Sequence, residues 1–125
     1  EKLSSKSPTL REVDIQLLDN SDILKKVNSI VKNLYFKLGP YQLEKRDDIY
    51  NEEVEFRAMK YIESLGSYYK GEWKEGTKER HGKGIAVSRT GALYEEWRKD
   101  NNIVGKCRVI YPNGSTFEGQ LKDYK

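Results

Sequence analysis

Gly66-Ser67-Tyr68-Tyr69-Lys70-Gly71-Glu72-Trp73 returns twice further along the chain, as Gly91-Ala92-Leu93-Tyr94-Glu95-Glu96-Trp97-Arg98 and as Gly114-Ser115-Thr116-Phe117-Glu118-Gly119-Gln120-Leu121. Each segment opens on glycine and carries an aromatic residue three positions later, and the opening glycines lie 25 and 23 residues apart. Tyr69, Gly71 and Trp73 are two apart, which puts them on one side of a strand. The outer rings bury area, and the central glycine lets another ring or backbone approach. Gly82-Lys83-Gly84, and later Gly105-Lys106-Cys107, precede the next opening glycine by nine residues. Ser88-Arg89-Thr90-Gly91 and Tyr111-Pro112-Asn113-Gly114 supply tight turns, the second with the Asn-Gly pair that marks hairpins. Each unit therefore reads as a β-hairpin of about twenty residues, and such hairpins bury their faces by stacking.

Composition separates this region from what precedes it. Nine of the ten glycines and both tryptophans lie at 66–125. The same region carries 12 basic and 8 acidic side chains against 11 and 12 in residues 1–65, within a chain of 125 residues and net charge +3. That length allows one ordinary domain. Leu, Ile, Val and Phe number 29, enough for a core. The basic excess is mild and interleaved with acid, so no concentrated stripe for nucleic acid is present. A single cysteine and a single histidine rule out a disulfide framework or a Cys/His zinc site made by this chain alone. No apolar run approaches a membrane span. The first five residues lack the order of a secretory leader, so a cytoplasmic location is expected.

The first 65 residues divide in three. Residues 1–20 begin with Ser4, Ser5, Ser7 and Pro8 and predict an extended arm; Val13, Ile15 and Leu17 then alternate with Asp14 and Gln16 as in a short strand or docking segment. Over 21–39, Ile23, Leu24, Val27, Ile30, Val31, Leu34, Tyr35 and Leu38 line one face of an amphipathic helix, capped by Asn20 or Ser21 and stopped by Gly39-Pro40. Its other face carries Lys25, Lys26, Lys32 and Lys37. The stripe must bury against something, either its own domain or a neighbouring protein. Residues 40–65 read as a degenerate repeat with strands near 41–44 and 49–56, favoured over a second helix.

The pattern Tyr-x-Gly-x-Trp, a following glycine, Gly-x-Gly and a turn glycine at a period of about 23 resembles the MORN (membrane occupation and recognition nexus) repeat. Tyr69-Lys70-Gly71-Glu72-Trp73, Gly76 and Gly82-Lys83-Gly84 match one repeat, with two extra residues between Gly76 and Gly82. In the second, Glu96 stands at the glycine position, Arg98 at the tryptophan position and Cys107 at the last glycine; the third is cut short at Lys125. The resemblance covers 66–125. It implies a mainly β fold of stacked hairpin repeats in an elongated twisted sheet, with the N-terminal amphipathic helix added. It also implies a noncatalytic scaffold or interaction module that contacts other proteins of a larger cytoskeletal, ciliary or axonemal assembly. Two other readings stay open: an adaptor for phosphoinositides or an anionic membrane surface, and the regulatory segment of a larger enzyme.

Candidate protein contacts are the aromatic residues Tyr69, Trp73, Tyr94, Trp97 and Phe117 and the helix positions Ile23, Val27, Val31 and Leu34. Trp97 points to the opposite side of its strand from Tyr94, which marks either a partner contact or a bulge. The membrane reading would use Lys70, Lys74, Lys78, Arg80 and Lys83. No catalytic site, cofactor or metal is expected. Gly82-Lys83-Gly84 lacks the spacing and ending of a phosphate loop. Cys107 and His81 belong to different repeats, with no third group to orient them. Asn113-Gly114-Ser115 has the composition of a glycosylation acceptor, but the turn already explains those residues.

Overall fold

The computed structural model describes residues 11–46, 49 and 53–121. Alternating β-formers and turn glycines build one antiparallel sheet of six strands in sequence order: β1 (Val54–Ile62), β2 (Ser67–Lys74), β3 (Arg80–Val87), β4 (Leu93–Lys99), β5 (Asn102–Ile110) and β6 (Thr116–Gln120). β1 and β6 are its edges among the described residues. The expected turns form. Gly91 N–H donates to Ser88 O and Gly114 N–H to Tyr111 O, each at 2.9 Å. The two glycines adopt φ of 94° and 93°, a region that side chains disfavour. Between β4 and β5, Asp100 and Asn101 take φ of 50° and 73°, the double left-handed geometry of a type I′ hairpin.

Among the described residues, three short helices precede the sheet: α1 (Glu12–Gln16), α2 (Ser21–Leu24) and α3 (Ser29–Leu38). Half of the arm expected over 1–20 falls outside the described residues, and where it is described it is not a strand. Val13 and Leu17 lie one helical turn apart, so both turn inward: Val13 is fully buried and Leu17 packs on the core. The single helix expected over 21–39 is two. Asn28 breaks it, because its side-chain oxygen accepts from Val31 N–H at 2.9 Å and starts α3 anew. Asn20 does sit at the start of α2, but its side chain donates to Leu17 O and Tyr35 Oη instead of capping. Gly39, at φ 78°, ends α3 as expected.

Over 40–65 the described strand lies later than expected. No strand forms at 41–46. Residues 47, 48 and 50–52, within the repeat expected over 40–65, lie outside the described residues. β1 runs from Val54 to Ile62 and turns into β2, where Gly66 N–H donates to Ile62 O at 2.8 Å. It therefore stands before a hairpin turn, and the second-helix alternative does not form over 54–62.

Register divides the sheet into two faces. On one, Tyr68, Lys70, Ile85, Val87, Leu93, Glu95, Arg108 and Ile110 face the helices, and Ile23, Leu24, Val31 and Tyr35 complete that core. On the other, Tyr69, Ala86, Tyr94, Val109 and Phe117 form one row across β2 to β6.

Candidate functional site

Polar groups on the helix-covered face hold the N-terminal segment in place. Arg11 donates to Glu72 Oε2 at 2.9 and 2.6 Å, and Lys83 Nζ reaches Asp14 Oδ1 at 2.7 Å. Lys70 Nζ donates to Asp19 O at 2.7 Å and Asp22 Oδ1 at 3.2 Å. Glu95 accepts from Tyr41 N–H at 2.8 Å and pairs with Arg108, which also donates to Gly39 O. Burial pushes the carboxyls of Glu72 and Glu95 above their ordinary range, and the hydrogen bonds and guanidiniums beside them oppose that shift.

Trp97 belongs to this layer. It is fully buried, donates Nε1–H to Glu44 O at 2.6 Å, and carries Lys83 Nζ 5.4 Å from its ring centre. The β4–β5 register shifts between Glu95 and Trp97, but the extra residues lie on β5. β4 stays in continuous register with β3, so Trp97 keeps the orientation that simple alternation gives it. With residues 41–46 over it, Trp97 has no open face for a partner. The helix stripe packs inward in part: Ile23 and Val31 are fully buried and Val27 and Leu34 lie against the same core, but Ile30 and Leu38 are exposed.

The basic set named for a membrane surface is mostly engaged within the chain. Lys70 and Lys83 clamp the helices; Lys74 pairs with Asp100 at 2.8 Å and Glu79 at 3.4 Å. Arg80 is buried, and its backbone N–H donates to Asn101 Oδ1 at 2.8 Å. Lys78 is exposed.

The opposite face carries the aromatic row. Tyr69 is fully buried and packs edge-on to Trp73, ring centres 5.4 Å apart at 88°. It lies over Gly84, where an added Cβ would sit 2.5 Å from Tyr69 Cζ. This is the close approach that the glycine spacing implied. Arg57 lies 5.0 Å from the Trp73 ring centre. Tyr94 and Phe117, further along the row, are half-buried. Glu96, fully buried, pairs with Arg98 in the same face.

Beside Tyr94 the face opens into a groove of about 520 Å³, whose walls include Arg80, Arg89, Arg98, Ser88 and Thr90 above Ala86. Arg98 Nη1 donates to Asn101 O at 2.8 Å, and Arg80 Nη2 reaches the same oxygen at 3.5 Å. Arg89 and Thr90 read from sequence only as turn residues. Their role in the groove wall depends on how the β3–β4 turn folds beside β4, which spacing alone does not encode.

The cysteine and the histidine do not meet. Burial pushes the Cys107 thiol up to about 11, away from the reactive thiolate. His81 sits on β3 and Cys107 on β5 with β4 between them, and His81 Nδ1 accepts from Asp100 N–H at 3.0 Å. Among the described residues no cluster of His, Cys, Asp or Glu could hold a metal ion, and no helix is long and apolar enough to cross a membrane. No protein-family model and no curated protein matches this chain.

Proposed function

We propose that this chain is a noncatalytic interaction module, built on hairpins of the MORN kind, that scaffolds other proteins within a larger assembly such as a cytoskeletal or axonemal one. One observation carries the reading: the two sheet faces are used differently. The helices and the 41–46 segment cover one face through buried pairs, while the other keeps half-buried Tyr94 and Phe117 and a groove. A half-buried aromatic row beside a groove is what a peptide-binding surface requires. The membrane reading is weaker, because Lys70, Lys74 and Lys83 already serve contacts within the chain and Arg80 is buried.

The test is site-specific photo-crosslinking in native extract, with a crosslinker at Thr90 on the groove wall or at Lys32 on the outer helix surface. A defined protein adduct from position 90 and none from position 32 is the expected result. Adducts only from position 32 would move the interface to the helices and defeat the assignment.

A further inference from the structure

We propose that the outer surface of the helical layer rests on an anionic lipid membrane, with lysine ammonium groups at the headgroups and Phe36 and Leu18 inserted between them. This surface lies outside 66–125 and on the sheet face opposite the groove. Residues 23–38 hold Lys25, Lys26, Lys32 and Lys37 and no acidic residue. All four lysines are exposed, and none forms an ion pair among the described residues. Lys26 Nζ lies 4.9 Å from the Tyr68 ring centre, a contact that leaves its charge in place. The acids just before them in sequence are engaged: Asp22 Oδ1 accepts from Lys70 Nζ at 3.2 Å, and Asp19 Oδ1 from Ser21 N–H at 3.0 Å. One flank of α3 meets the uncharged turn at 111–115, where Asn28 Nδ2 donates to Pro112 O at 3.1 Å. A surface of one sign draws a partner of the other.

Charge alone suits any acidic partner, and the apolar side chains narrow the choice to lipid. Among the described residues seven large hydrophobic side chains are exposed, and five of them, Ile15, Leu18, Ile30, Phe36 and Leu38, belong to this layer. Leu18 is 79% exposed and Phe36 63%. Phe36 follows Lys32 by one helical turn and directly precedes Lys37, while Val31 and Tyr35 turn inward. α3 therefore presents an aromatic ring flanked by cations on its outward side. These side chains are spread over convex helical turns and not gathered in a cleft, so they suit a soft surface that each one enters separately. Insertion at headgroup depth takes apolar area out of water, and each lysine near an anionic surface adds attraction. Ile23, Leu24, Val31 and Tyr35 stay on the sheet, so the layer docks without unfolding.

The test is sedimentation of the full chain with two kinds of vesicle, phosphatidylcholine alone and phosphatidylcholine with about 30% phosphatidylserine. Binding to the anionic vesicles, its loss as salt rises, and none to the neutral ones are expected. Lys32→Gln combined with Lys37→Gln should weaken partitioning by about twentyfold. Phe36→Ser should weaken it by about fivefold. These side chains are exposed, so the melting temperature should not move. Lys78→Gln, an exposed change between β2 and β3, should leave binding unaltered. In bicelles of the anionic composition with nitroxide-labelled lipid, amide signals of 29–38 should broaden and those of 88–91 stay sharp. Equal binding to neutral vesicles would overturn the anionic assignment, and no binding to either would overturn the membrane itself. An α3 double variant that binds as well as the parent would overturn the surface. A polyglutamate peptide that shifts 29–38 while vesicles fail to bind would give the surface to an acidic protein and overturn the lipid. Protein crosslinks from Thr90 are independent of all these outcomes, so the groove and the helical surface stand or fall separately.

Discussion

In the β2–β3 hairpin the inner positions are Gly71, Trp73, Gly82 and Gly84; one hairpin later, β4–β5 has Glu96, Arg98, Gly105 and Cys107 in the equivalent places. The first hairpin is filled by rings, Tyr69 lying over Gly84 and edge-on to Trp73. The second is filled by a buried ion pair and a thiol, Glu96 and Cys107 both fully buried. The register shows why both hairpins fit one sheet. Glu96 stands opposite Gly84, Arg98 opposite Gly82 and Cys107 opposite Gly119. Wherever the second hairpin has lost a glycine, the strand beside it has kept one. Repeat degeneracy is tolerated here because the space belongs to the pair of strands and not to one position.

The largest break of that comparison is expected at the ion pair. Glu96→Ala leaves the Arg98 guanidinium buried without its carboxylate, a loss on the order of 3–5 kcal/mol. Urea denaturation of Glu96→Ala and of Glu96→Ala with Arg98→Met should show the double variant regaining most of that loss, since no uncompensated charge remains. A double variant that recovers nothing over Glu96→Ala would mean that the pair does not act as a unit.

A smaller effect is expected on the glycine side. Gly84→Ala places a Cβ 2.5 Å from Tyr69 Cζ and cannot be absorbed by a flexible chain end, because the ring is fully buried and its Oη donates to Glu72 O at 2.9 Å. Overpacking of this kind costs roughly 1–3 kcal/mol. Pairing it with Tyr69→Leu should restore part of the loss in a thermal melt. A Gly84→Ala protein as stable as the parent would show that the first hairpin does not depend on the glycine–ring contact.

The sheet was legible because its signals are local. Gly91 and Gly114 announce their turns, and Tyr69, Gly71 and Trp73 announce a strand by period two. The N-terminal layer was not, because its geometry is decided by partners far along the chain. Alternation at Val13, Ile15 and Leu17 reads as a strand, but a turn of helix also brings Val13 and Leu17 to one side, and packing against the sheet chose the helix. Asn28 sits inside a continuous apolar stripe, and only its capping bond marks the break. Nothing local says that Lys70 and Lys83 are occupied by the helices while Arg89, read as a turn residue, stands in a groove wall. Trp97 is intermediate: its opposite orientation was readable, but the 41–46 segment that covers it was not.

The smallest effect should come from Cys107, and pH separates it from the glycine it replaces. Removing its sulfur with Cys107→Ala costs at most about 1 kcal/mol at neutral pH, close to one buried methylene. The thiol is raised from its ordinary value of 9.0 to about 11 in the folded chain, chiefly because burial disfavours the thiolate. A raised group contributes stability that is fully present below its unfolded pKa and is lost as pH climbs through the folded one. The parent should therefore lose stability between about pH 9 and pH 11. Cys107→Ala lacks that increment, so its deficit should narrow across the same window. Tyr69, raised by its own burial, strains in the same direction in both proteins and cancels from the difference. Chemical denaturation at matched ionic strength, at pH 7.5 and across the alkaline window, measures the gap directly. A gap that stays constant would mean the second hairpin admits water around Cys107, and that its polar filling is looser than the ring-on-glycine packing of the first.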